Sequence, residues 1–248
     1  MPENLLTRTQ YVRDTWARRC DKTVYFSSKE NAEFPTIGLD TGDGHHAFQA
    51  QKAKAAWSYV EKHFINDFDF FYKRQFLSDK HPERPEYYGH IFKHPSRNVT
   101  YMSGGPGFIL TRKSVKLLNQ AITDHPECIP DGRGEDWKVG KCLSTVGGYA
   151  VDTRDEQGRD RFMVFDLKRH VTGAYPTWYR KFNGSPVING KKCCARYPIS
   201  FHYVRGLDIL TYEWFFYSQR VTSFTGNHKN DRAKFSSAMT SSSHTIKD

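Results

Sequence analysis

Short apolar runs of strand length alternate along the chain with longer stretches whose apolar positions recur at helical spacing. VYFSS from Val24, FDFFY from Phe68, VTYM from Val99, FIL from Phe108, RFMVF from Arg161 and ISFHYV from Ile199 read as strands. Between about His46 and His63, the residues Ala53, Ala56, Trp57, Val60 and Phe64 fall on one side of a helix. Lys52, Lys54, Glu61 and Lys62 fall on the other, so this helix is expected to pack on a sheet face. A second helix is expected after Thr111, a hydroxyl residue suited to capping, with Val115, Leu118 and Ile122 inward and HPEC as its end. The segment Leu207 to Ser218 is so aromatic that it is expected to lie in the core. From about Thr222, Ser, Thr, Lys and Asn displace apolar residues, and the tail 222–248 is expected to be disordered. Strands alternating with helices predict an α/β fold.

The length of 248 residues with 38% apolar content suits one sizeable core. Thirty-seven Lys and Arg against 27 Asp and Glu give a formal charge of +10, which fits nucleic acid, a membrane surface or a sugar nucleotide. The basic residues are dispersed and form no run, so charge does not choose among these, and most of them read as solvated surface. No apolar run reaches the roughly 18 to 20 residues of a membrane span, and MPENLLTRTQ does not read as a signal peptide. Five cysteines with no CxxC pair argue against a zinc ribbon and leave at least one thiol without an internal partner. Sequons at Asn98 (NVT) and Asn183 (NGS, then Pro186) are compatible with the secretory pathway.

Four segments carry candidate chemistry, each with a plainer reading beside it. YMSGGPGFIL, Tyr101 to Leu110, is either a tight hairpin or a loop whose backbone can approach a sugar or phosphate. In GRGEDWKVGKC, Glu135 and Asp136 open a helix, where carboxylates commonly serve as caps but can also present a general base. His202 in SFHYV is either a satisfied core histidine or a ligand for a divalent ion. Asp67 and Asp69 in NDFDFF form a literal Asp-x-Asp, a pattern too short to be specific. Cys128 and Cys142 flank the Glu135–Asp136 segment and are expected to be bonded, pinning that helix start. Cys193 or Cys194 is expected to pair with a distant cysteine and not with its neighbour.

Taken in order, YVRDTWARRC, FSSKEN, the helix running into DFDFFYK, YYG, YMSGGPGFILT, EDWKVGKC, the adjacent cysteines and SFHYV resemble the core 1 β-1,3-galactosyltransferases, from about Tyr11 to Val221. The resemblance leaves 1–10 as a remnant of a stem. It implies the nucleotide-diphospho-sugar transferase (GT-A) fold, in incomplete form, on the luminal side of the Golgi membrane, with the anchor outside this chain. It also implies transfer of galactose from UDP-galactose to GalNAc on glycoproteins with inversion, with manganese as cofactor, homodimers, and no nucleic-acid partner. By position, Asp136 matches the family's base and His202 the histidine of its metal site. Gly104, Gly105 and Gly107 match the loop beside the sugars, with Glu135 next to the base. Arg13 and Trp16 match the nucleotide side. Trp178 and Tyr179 match an aromatic acceptor-side segment.

Two departures from the family pattern stand out. The family follows the strand ending at Lys73 with an Asp-Asp-Asp-Thr-Tyr metal segment, whereas here Lys73 runs directly into Arg74, as a skipped exon would leave it. The family's cysteine-containing first strand is also absent, which is expected to leave Cys20 free. The chain as written is therefore expected to be inactive. The alternative reading is a catalytically silent relative acting as a chaperone or binding partner of the active enzyme. A third is a basic carbohydrate-binding module with no reaction.

Overall fold

The computed structural model describes residues 5–42, 48–71, 80–125, 128 and 132–218. The chain divides into two units, Met1–Thr211 and Tyr212–Asp248. The junction of Lys73 with Arg74 and the tail 222–248 lie outside the described residues.

In chain order, the first unit contains α1 (Gln10–Asp14), β1 (Tyr25–Ser27), β2 (Thr36–Gly38), α2 (Gln49–Phe64), β3 (Phe70–Phe71), β4 (Glu86–Gly89), β5 (Ile91–Lys93), β6 (Thr100–Met102) and β7 (Phe108–Thr111). Then follow α3 (Arg112–Asp124), α4 (Glu135–Thr145), β8 (Tyr149–Asp152), β9 (Phe162–Met163), α5 (Leu167–Thr172), α6 (Thr177–Phe182) and β10 (Ser200–Phe201). The main sheet has the order β3-β7-β4-β8, antiparallel except where β4 and β8 run parallel. All four residues of β4 are buried, as expected of a strand flanked on both edges and covered on both faces. β5 and β6 form an antiparallel hairpin, while β1–β2 and β9–β10 are short parallel pairs.

The cap at Thr111 accepts from the Ser114 amide at 3.1 Å and donates to the Arg84 carbonyl at 2.7 Å. α3 then buries Val115, Leu118 and Ala121 against the side of the sheet that α4 also covers. α2 corrects the expected packing on a sheet face, because its main partner is α3. Asn119 donates to the Trp57 carbonyl at 3.2 Å and accepts from Ser58 at 3.1 Å. Contact with the sheet comes through Trp57, whose ring stacks with Phe108 of β7 at 6.4 Å. Ser58 and Glu61 on this helix meet Asn119 and Lys116 of α3, polar partners that the apolar sheet face does not offer.

α4 lies directly on β6. A Cβ placed on Gly140 would come within 2.4 Å of the Tyr101 Cβ and 2.9 Å of the Tyr87 hydroxyl, so only glycine permits this approach. The Cys128–Cys142 disulfide, with Cα atoms 5.0 Å apart, ties the same helix to the connection just after α3.

Two expectations fail. Cys193 is bonded to its neighbour Cys194 and not to a distant cysteine, whereas Cys20 is free as expected. The chain path puts both sulfurs at the start of an irregular segment, where Ala195 is held to the Asp160 carbonyl at 2.9 Å, and neither reaches another thiol. The aromatic stretch forms α7 (Leu207–Glu213) and a π-helical turn, Trp214–Ser218, but Trp214, Phe215, Phe216 and Tyr217 are exposed. Four consecutive aromatics point to every side of a helical turn, so no single face can bury them all.

Candidate functional site

Three segments far apart in sequence meet at one place. The β6–β7 connection carries Ser103–Gly107, α4 begins with Glu135 and Asp136, and His202 follows β10. The glycine segment is a tight turn in which the Gly107 amide donates to the Gly104 carbonyl at 3.1 Å. Gly107 has φ of 80°, a left-handed conformation that favours glycine. The Gly104 N–H donates to Asp136 Oδ2 at 3.0 Å, and the Trp137 N–H donates to Asp136 Oδ1 at 2.8 Å. Each carboxylate oxygen keeps a free lone pair after these bonds, so Asp136 is oriented and can still accept a proton.

Glu135 closes the same corner, since a Cβ on Gly104 would meet Glu135 Oε1 at 3.1 Å and Asp136 Cβ at 3.2 Å. Burial, and then the neighbouring Asp136 charge, hold the Glu135 carboxyl above the ordinary glutamate range. The next glycine faces the histidine, because a Cβ on Gly105 would fall 2.3 Å from His202 Nδ1. His202 is fixed by its backbone, whose N–H donates to the Met163 carbonyl at 2.9 Å, continuing the β9–β10 pairing. Burial lowers the imidazole pKa from the usual histidine value, with Arg205 adding to the shift and the Val164 carbonyl opposing it, so the ring is neutral at pH 7.

The aromatic segment joins the site through ring contacts. Trp178 packs on Phe165 at 5.8 Å, Phe165 lies parallel to Tyr203 at 5.7 Å, and Tyr203 stacks on His202 at 3.9 Å. Trp178 is partly exposed, whereas Tyr179 is buried against Phe165 and Phe92 and reads as core. Arg13 and Trp16 are placed elsewhere. Arg13 pairs with Asp14 at 2.7 Å and lies over the Phe34 ring, and Trp16 opens a 3₁₀ turn. No contact among the described residues links Arg13 to the Asp136 corner.

Tyr203 escaped the sequence reading. It holds a left-handed backbone with φ of 62°, uncommon for a tyrosine and characteristic of functional positions, and nothing in the local sequence signals it. Trp137 is the other omission, with Arg97 4.6 Å above its ring and His94 beside it.

A divalent cation at this corner would need several nitrogen or oxygen ligands. His202 Nδ1 is buried without a hydrogen-bond partner, which suits one ligand. No group of three His, Cys, Asp or Glu able to hold a metal occurs among the described residues. Asp69 is bound to Arg112, which also takes Glu83 at 3.1 Å, so it serves an ion pair at the sheet edge. The described residues do not make up a cation site.

A glycoprotein-N-acetylgalactosamine 3-beta-galactosyltransferase 1 from Xenopus laevis is 31% identical to this chain over 239 residues, covering 90% of the chain. Over that span the chain is similar to this galactosyltransferase. It spans 66% of that relative's length, just under two thirds. No protein-family model matches the chain. The mixed α/β architecture agrees with the GT-A fold that the resemblance implies. No helix among the described residues is long and apolar enough to cross a membrane.

Proposed function

We propose that this chain is a luminal Golgi galactosyltransferase domain that acts on GalNAc carried by glycoproteins, with UDP-galactose as donor and Asp136 as the base. The observation that carries this reading is the corner in which the Gly104 N–H fixes Asp136 Oδ2 at 3.0 Å while Gly105 abuts His202. Asp136 takes the proton of the acceptor hydroxyl as that oxygen attacks C1 of galactose. The bond from C1 to the diphosphate oxygen breaks, UDP leaves with the electron pair, and the anomeric configuration inverts. Glu135 brings a second carboxyl group to the same corner, where it can accept a hydrogen bond from a sugar hydroxyl. Trp178 supplies an apolar face on the acceptor side.

Manganese is the cofactor that the family resemblance brings, and His202 alone cannot hold it without carboxylates. The chain as written is therefore expected to show no transfer. A version carrying Asp-Asp-Asp-Thr-Tyr after Lys73 is expected to transfer galactose to a GalNAc-peptide with manganese present. In that version Asp136→Asn should lower turnover by at least ~10²-fold while leaving UDP-galactose affinity nearly unchanged. Activity in the chain as written would return attention to Asp67 and Asp69 as ligands. Inactivity in both versions would overturn the enzyme reading in favour of a silent partner.

A further inference from the structure

The function leaves both sequons unexplained, and the structure treats them differently. Asn98 sits in the turn between β5 and β6, which is closed by the His94 amide on the Val99 carbonyl at 2.8 Å. It is exposed, with φ of 47°, and its amide makes no hydrogen bond among the described residues. Val99 turns inward onto the cluster of Phe92, Tyr101 and Tyr179, so Asn98 and Thr100, the two reactive positions of the triplet, are both left exposed. Asn183 is the reverse case. Its Oδ1 lies 2.6 Å from His90 Nε2, its Nδ2 donates to the Ser185 carbonyl at 2.7 Å, and His90 is buried. The middle residue of that triplet, Gly184, is pressed on Ile91, whose Cγ2 would lie 2.7 Å from an added Cβ. Pro186 follows directly.

We propose that Asn98 is an N-glycosylation site and that Asn183, although it satisfies the same pattern, carries no glycan. The modification would be the attack of Asn98 Nδ2 on C1 of an oligosaccharide linked to a lipid diphosphate, catalysed by the oligosaccharide-transferring machinery of the secretory pathway. The new N–C bond replaces the C1–O bond, the lipid diphosphate leaves with the electron pair, and one amide proton is lost. The proposal rests on the luminal placement given above but not on galactose transfer.

The test expresses the full 248-residue chain behind a cleavable signal peptide in cells of the secretory type, with Thr100→Ala and Ser185→Ala as variants. These remove each sequon without touching either asparagine, and the Ser185 carbonyl that Asn183 uses is retained. Endoglycosidase treatment followed by peptide mapping should find one glycan, on Asn98, lost in Thr100→Ala and kept in Ser185→Ala. A chain with no glycan, a glycan on Asn183, or loss of the glycan in Ser185→Ala would each overturn the assignment. None of these results bears on Asp136, so the galactosyltransferase reading stands or falls separately.

Discussion

At the scale of single residues, the site is sensitive to volumes as small as one methyl group. Gly105→Ala would force its new carbon onto His202 Nδ1 at 2.3 Å, and the imidazole is held from behind by Tyr203 at 3.9 Å. Relief requires the loop to move, and the expected cost is about 1–3 kcal/mol. Gly104→Ala meets the end of the flexible Glu135 side chain at 3.1 Å and should cost less than the Gly105 change. Urea unfolding of the two variants checks the order, and equal midpoints would show that Gly105 does not abut His202 in solution. The local features here were readable in advance, because glycines between two strands and acids at a helix start are signals within a few residues. The pairing of Gly105 with a histidine 97 positions away was not, and the resemblance alone brought these residues together. The left-handed tyrosine beside that histidine had no signal of any kind.

At the scale of elements, α3 was legible because Thr111 carries both marks of a start, a capping hydroxyl and the onset of helical spacing. The segment beginning at Leu207 was misjudged because apolar content was read without its angular distribution. The neighbouring disulfide at Cys193 was misjudged because a count of cysteines says nothing about where the chain carries them. The other disulfide bears on the site. Cys128 and Cys142 are separated by 14 positions, and the loop they close contains the whole start of α4. Replacing both by Ala should cost about 3 kcal/mol in thermal or urea unfolding. It should also speed amide exchange at Trp137, since the covalent tie on the helix start is then gone and the bond to the glycine loop and the packing on β6 remain. Unchanged exchange would mean that the packing on β6 is sufficient.

At the scale of the whole molecule, acid should destabilise the fold through His170. Its Nε2 accepts from the Phe165 N–H at 3.2 Å and its Nδ1 meets the Tyr175 hydroxyl at 2.9 Å. Burial, and then the nearby His90, push its pKa down to about 4 against the opposing pull of Asp166. The unfolded chain, with an ordinary histidine pKa of about 6.5, binds that proton first. Stability is thus complete above about pH 6.5, falls as the pH drops toward about 4, and levels off below, with a total loss of roughly 3 kcal/mol from this group. His170→Gln keeps an acceptor for Phe165 and cannot titrate, so its unfolding curve should be flatter over that interval. An identical acid limb in the variant would assign the effect elsewhere. The close seat of Gly140 on Tyr101 has a mechanical consequence at this same scale. It seats α4 directly on β6, the strand leading into the glycine loop, so Asp136 and the Gly104 N–H that fixes it ride on one packed body. His202 and Tyr203 follow β10 of a separate two-stranded sheet, so their half of the corner is not fixed by that seat.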